Sequence, residues 1–311
     1  TPALAVFARI AALSWTSAAA MHPAHPEALV DAAWIQEHSQ DADVVLIDAS
    51  DAKDDTYVPK TVKGAVCMPY RDLRQDSGLM KGISYGLEKK DFDPSGLKRM
   101  FEQAGVDNES TVVLVAQYRV DDAAMVFWAL KWLGHEDVRL LPVNYLKAMP
   151  EEMLTSTIQS WSECTAEGDF QVQTDWSWYA TKKDVLQAMH SSQAVLWDVR
   201  PQAYFEGKKT KTIRGGTLAT AKNWPFANIW TDQSMSELDW DCAEGALSRL
   251  FPAPDHKDLT VISFCNSGHS AGAGFFAWQC GYDWALCDAS WNVMAYDGSV
   301  PAKNLRLYVK P

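Results

Sequence analysis

Long apolar runs are missing from this 311-residue chain. Nothing approaches about 18 uninterrupted apolar residues, so no transmembrane helix is expected. Cations are scarce: 28 Lys and Arg face 40 Asp and Glu, a net charge of −12. Nucleic acid and anionic membranes reward clustered Lys and Arg, so neither is an expected partner. The six cysteines, Cys67, Cys164, Cys242, Cys265, Cys280 and Cys287, form no Cys-x-x-Cys pair and no Cys/His pairs at zinc spacing. A structural metal is therefore not expected. Their even number allows disulfides, but a chain this long does not need them, and most read as thiols. Gly268, Gly272 and Gly274 make neither a dinucleotide fingerprint nor a Walker loop, so no nucleotide is called for.

What is present is an ordinary globular composition, 47% hydrophobic and 22% charged, at a length that favours two domains. The first residues, TPALAVFARIAALSWTSAAAMHPAHP, contain no acid and one Arg. That composition resembles the tail of a targeting segment, which fits a mitochondrial protein or, alternatively, one of the bacterial periplasm. The other reading is an Ala-rich docking helix of a cytosolic protein.

The remainder is written twice. Val44-Val-Leu-Ile-Asp48 lines up with Ala194-Val-Leu-Trp-Asp198, Ala65 to Tyr70 with Ala221 to Phe226, and Thr111-Val-Val-Leu-Val with Thr260-Val-Ile-Ser-Phe264. Two helical runs follow, Ala123–Leu133 before Gly134 and Ala271–Cys280 before Gly281, with Gly at the expected C′ position. Apolar strands alternating with amphipathic segments such as Leu97–Ala104 imply an α/β fold with largely parallel sheets flanked by helices. The expected division is an extension over 1–26, a first domain over 27–149, a polar linker over 150–175 and a second domain over 176–311.

Active sites of open parallel sheets lie at the carboxyl ends of strands. At such an end the second half has FCNSGHSAG, residues 264–272, with two candidate nucleophiles. Gly268-His-Ser-Ala-Gly272 matches the serine elbow of hydrolases, but there the acid and histidine follow the serine. No histidine follows Ser270. Cys265 remains. A thiol is mostly protonated at its ordinary pKa of about 8.5, and the thiolate is the nucleophile. A glycine-containing loop ahead of a helix start turns N–H groups inward and favours the thiolate. The first half has Ala116 at the matching place.

With Cys265-Asn266-Ser267-Gly268-His269-Ser270, Asp198-Val-Arg200 and Asp288-Ala-Ser-Trp291, the chain resembles the tandem-domain rhodaneses, over about residues 27–311. The resemblance implies two tandem rhodanese-like domains, the first inactive, and a sulfurtransferase that needs no cofactor. Cys265 takes a sulfane sulfur from a small anionic donor such as thiosulfate or 3-mercaptopyruvate, becomes a persulfide and passes the sulfur to cyanide or a thiol. It further implies that backbone N–H groups of residues 266–270 stabilise the persulfide and that the Ser270 hydroxyl fixes the end of the loop. Asp198 and Arg200 support the loop, Arg200 either bracing it against an acid or touching substrate.

The sequence also departs from the family pattern. Asn266 and Ser267 stand where thiosulfate-type loops are basic, Tyr204 where many members have an Arg, Ala289 where Gly is usual, and Val293 where Glu is common. Ser267 resembles the mercaptopyruvate-type loop, yet the basic and histidine partners of that type are not evident in residues 70–90. Lys208, Lys209, Lys211 and Arg214 form a basic cluster that either edges the cleft and attracts the donor or is a solvated loop tip. Such drift keeps open an inactive rhodanese-like subunit of a larger protein complex. The related cysteine phosphatases end a longer loop in Arg; Ala271 after Ser270 speaks against them.

Overall fold

The computed structural model describes residues 23–51, 60–75, 89, 92–117, 119–165, 168–229, 247, 249–251 and 259–307. Most of the 1–26 extension, and residues 76–88 and 90 within the 70–90 stretch, therefore lie outside the described residues.

The strands of the first half are β1 (Val44–Asp48), β2 (Thr61–Val62), β3 (Val66–Cys67), β4 (Thr111–Val115), β5 (Val138–Leu141), β6 (Leu154–Thr155) and β7 (Gln159–Ser160). Its helices are α1 (Ala32–His38), α2 (Asp72–Gln75), α3 (Ser95–Gln103), α4 (Val120–Trp132) and α5 (Val143–Ala148). The second half contributes α6 (Lys182–Ala188), β8 (Ala194–Asp198), α7 (Gln202–Phe205), β9 (Arg214–Leu218), β10 (Lys222–Asn223), β11 (Thr260–Phe264), α8 (Gly274–Gln279), β12 (Asp283–Leu286), α9 (Ser290–Met294) and β13 (Ala302–Leu307).

The first sheet runs β5-β4-β1-β3-β7 and the second β10-β8-β11-β12, with every pairing parallel. Dropping β7, the order β3-β1-β4-β5 is the order β10-β8-β11-β12, so each written repeat occupies the same place in its sheet. Near-continuous apolar runs such as TVVLV and TVISF suit strands covered on both faces. Two antiparallel ribbons, β2 with β6 and β9 with β13, flank the sheets.

Helix α4, VDDAAMVFWALKW, is apolar almost all round, the signature of a helix with no solvent face. It is buried along its length except at Lys131. Phe127 meets Phe275 edge-on with ring centroids 5.0 Å apart and lies 5.2 Å from Trp278, so the aromatic core is continuous between halves. Aromatic pairs in this geometry add about 0.5–1.5 kcal/mol each beyond area burial. The segment ahead of α1 also reaches across. The Ala24 N–H donates to the Gln279 carbonyl at 2.7 Å, and His25 stacks on Trp278 at 3.8 Å.

The second helical run is shorter than its sequence suggests. Residues His269–Ala273 form a 3-10 turn and the α-helix begins at Gly274. Gly274 lets the turn lie against Trp284, whose indole would collide with any Cβ there. The stretch 150–175, expected as a linker, is bound to the first half: β7 extends its sheet, and Trp161 is buried with its indole N–H donating to Asp72 at 2.9 Å. Phe170 is fully buried too. Two aromatic anchors in a polar stretch carry no periodicity, which is why the sequence reads there as a linker.

Gly134 ends α4 in the left-handed region, φ 93°, with the Gln173 carbonyl where a Cβ would sit. Gly134→Ala is expected to destabilise the protein by about 1–3 kcal/mol through strain and overpacking, read as a lowered urea midpoint at unchanged m-value.

Candidate active site

Strand β11 ends at Phe264, and the chain turns from Cys265 into the loop that carries the sequence candidates. Cys265 is 5% exposed. Gly268 adopts φ 90°, a left-handed conformation that lets the Ala271 N–H close on the Gly268 carbonyl at 3.0 Å. The loop end is fixed by Ser263, whose hydroxyl donates to the Ala271 carbonyl at 2.7 Å and accepts from the Trp284 indole at 2.9 Å. Ser270 is half-buried, and among the described residues its hydroxyl makes no hydrogen bond. The shape-fixing hydroxyl is thus on the strand before the loop, not at its end.

The start of the loop is held from α9. The Cys265 N–H donates to Ser290 Oγ at 3.1 Å, while that hydroxyl donates to the Cys287 carbonyl at 2.8 Å. Ser290 has φ 48°, a conformation that costs a non-glycine residue about 1–2 kcal/mol. Its two buried hydrogen bonds offset that strain. Beside it, the Trp291 N–H donates to the Cys265 carbonyl at 3.0 Å and the Asn292 N–H to the Asn266 carbonyl at 2.7 Å.

Asp198, at the end of β8, is fully buried. It accepts the Arg200 N–H at 3.0 Å, Arg200 Nε at 2.9 Å and Nη2 at 2.6 Å, and the Thr217 hydroxyl at 2.7 Å. Arg200, itself 2% exposed, spends its remaining donors on the Gly216 carbonyl at 2.7 Å and Asn266 Oδ1 at 3.4 Å. The guanidinium therefore joins β8, β9 and the loop.

The remaining candidates are not drawn to the loop by hydrogen bonds or ion pairs among the described residues. Tyr204 is half-buried on α7, and Lys208 pairs with Glu206 at 2.5 Å. Lys209 and Lys211 are exposed, and no ion pair of theirs occurs among the described residues. Arg214 points inward. Its guanidinium donates to the carbonyls of Met294, Ala295 and Asp297, each at 2.8 Å, and lies over Trp291. It braces the end of α9 instead of presenting a charge to an anion.

The first half has lost this wiring. Ala116 follows β4, and Ser50 replaces Arg200. Gln117 takes over the guanidinium's work, donating from Nε2 to Asp48 Oδ2 at 2.6 Å, while its own N–H donates to Ser50 Oγ at 2.8 Å. A cleft of about 630 Å³ opens beside this vestige, lined by Ser50, Asp51, Cys67, Arg71 and Asp72 among others, and none of the loop residues 265–270 lines it. Cys67 is no substitute nucleophile: burial first, then Asp48 and Asp72, push its thiol up to about 11. Burial pushes Cys287 up to about 12.

One contact has no sequence forerunner. His269 leaves its own half and meets Asp121 and Asp122 of α4, whose ligand-type atoms gather with its ring nitrogen within 4.8 Å. Arg119 already pairs with Asp121, Nε to Oδ1 at 2.9 Å, so the excess negative charge is balanced by a guanidinium. Burial raises the Asp122 carboxyl above the ordinary carboxylate range, opposed by the His269 hydrogen bond and reinforced by Asp121.

Two outcomes are expected. Asp198→Asn removes one partner of a buried pair and is expected to cost about 3–5 kcal/mol, measured by urea unfolding. A thiol whose pKa is raised stays protonated below that value, so iodoacetamide at pH 8 is expected to spare Cys67 and Cys287, with Cys67 alkylated as the pH nears 11; peptide mass mapping reads this.

Residues 31–144 match the family model described as rhodanese-like domain. The chain is 26% identical to the sulfur carrier protein TtuD of Thermus thermophilus, covering 89% of this chain and 93% of that one. It is 23% identical to the 3-mercaptopyruvate sulfurtransferase of Escherichia coli K12, over 87% and 92%. The crystal structure of SseA from Escherichia coli, a 3-mercaptopyruvate sulfurtransferase with the rhodanese fold, superposes with a TM-score of 0.65 at 21% identity, covering 85% of this chain and 98% of that one. Repeat, sheet order and these likenesses converge: residues 31–144 match a rhodanese-like domain, and the chain as a whole has the two-domain rhodanese fold.

Proposed function

We propose that the protein is a sulfurtransferase whose working atom is Cys265 Sγ. The observation that carries this reading is the position of Cys265, at the carboxyl end of a central parallel strand and the mouth of a loop braced through Ser263, Ser290 and Arg200. Its duplicate in the first half carries alanine. The names of the two relatives, a sulfur carrier and a sulfurtransferase, support the same chemistry.

With thiosulfate as donor, the Cys265 thiolate attacks the outer sulfur. The sulfur–sulfur bond of thiosulfate breaks, sulfite leaves with the bonding pair, and a persulfide anion remains on Cys265. With 3-mercaptopyruvate the carbon–sulfur bond breaks instead, and the pyruvate carbon takes up a proton. Cyanide or an acceptor thiolate then attacks the terminal sulfur, the persulfide bond breaks, and the thiolate is regenerated. The loop amides of residues 266–270 stabilise the anionic sulfur at each stage. Residues 176–311 supply the chemistry and residues 27–149 pack against it.

Incubation with thiosulfate and, separately, 3-mercaptopyruvate, followed by intact mass measurement, is expected to show a gain of one sulfur atom in the wild type and none in Cys265→Ser. A cyanide chase is expected to remove it. Absence of the gain with both donors would favour the inactive-subunit alternative.

A further inference from the structure

His269 is the fifth residue of the loop, and among the described residues its side-chain hydrogen bond, ion pairs and ring stacking all cross to the other half. Its Nε2 lies 2.5 Å from Asp122 Oδ1 and 3.7 Å from Asp121 Oδ2. Its ring stacks on Tyr70 with centroids 3.9 Å apart and planes 5° from parallel. All four side chains are buried. The partners are themselves fixed: Arg119 forks onto Asp121, and the Asp51 N–H reaches Asp122 Oδ2 at 3.4 Å. Both carboxylates stand in the first turn of α4, where the helix dipole favours negative charge.

The loop is otherwise held at its ends. Cys265 and Asn266 are anchored by α9 and Arg200, and Ala271 by Ser263. Between them stand Ser267, Gly268, the residue type with the widest backbone freedom, His269 and Ser270. Among the described residues the loop middle therefore has one side-chain anchor, and the half without a nucleophile provides it. Reaction requires the sulfur and the loop amides in a fixed relation, and a misplacement of about 1 Å can cost roughly 100-fold in rate.

We infer that Asp122, seconded by Tyr70, is a positioning residue for sulfur transfer: it holds His269, and through it the Cys265–Ser270 loop, in the reactive conformation. The inference rests on the reading of Cys265 as the nucleophile. It assigns the first half a part in the reaction without giving it a contact with the sulfur.

The test is steady-state turnover of thiosulfate with cyanide on the full chain, with kcat expressed per Cys265 persulfide formed, as titrated by intact mass. Four variants are compared, each assayed well below its own melting temperature. Asp122→Ala and His269→Leu break the contact, and each is expected to lower kcat by about tenfold or more, with KM for thiosulfate within about twofold, since neither residue meets the donor. Asp122→Asn and His269→Gln keep a hydrogen-bonding pair and are expected to retain kcat within about threefold. A merely structural contact would lower the titrated amount of enzyme and leave kcat per site unchanged. The inference is overturned if Asp122→Ala or His269→Leu keeps kcat per site within twofold of wild type, or if the conservative pair loses as much as the disruptive one. A wild type that takes up no sulfur from either donor overturns the sulfurtransferase reading and this inference together; a wild type that turns over beside an equally fast Asp122→Ala overturns the inference alone.

Discussion

The site depends on one carboxylate that has no water to turn to. Asp198 is fully buried, and a charge so placed is tolerable only when paired and hydrogen-bonded. Arg200 and Thr217 meet that demand, and in doing so they tie strand β8 to ribbon β9. The guanidinium has donors left over, and they fall on Gly216 and Asn266. The electrostatic need of the core thus sets the entrance of the loop. Trp291 completes the brace, lying beneath both Arg200 and Arg214 while its N–H holds the Cys265 carbonyl.

The first half shows the same demand met more cheaply. Asp48 keeps the strand-end position and is as deeply buried, yet its partners are the Ser50 N–H and the neutral Gln117 amide. With no guanidinium there is no charge to spread to a neighbouring strand, and the loop after β4 folds its own side chain back onto the aspartate. Loss of the cysteine and collapse of the bracing belong together: once Gln117 satisfies Asp48, nothing in the packing requires an Arg at position 50.

The repeat, the parallel sheets and the position of Cys265 are legible in the sequence because each is a local pattern, an apolar run ending in Asp or a strand followed by glycines. The bracing of Arg200 is legible in part, since Asp198 is two residues away. The Ser263 and Ser290 anchors are not, because a serine in a strand and a serine at positive φ look like any others until the turn between them is built. His269 and Asp122 are 147 positions apart, and no periodicity links a loop to the opposite repeat. The buried Trp161 and Phe170 likewise turn a polar stretch into part of the first half, through contacts its composition does not announce.

The continuous aromatic core has a consequence for how such a chain evolves. Phe127 of the first half packs its ring against Trp178, Phe275 and Trp278 of the second. Separating the repeats would leave these rings in water, so the ancestral single unit is no longer contained in the duplicated one as a removable part. Duplication here is a ratchet: the repeat with Ala116 in place of the cysteine is free to diverge, but the shared core keeps the lineage from discarding it.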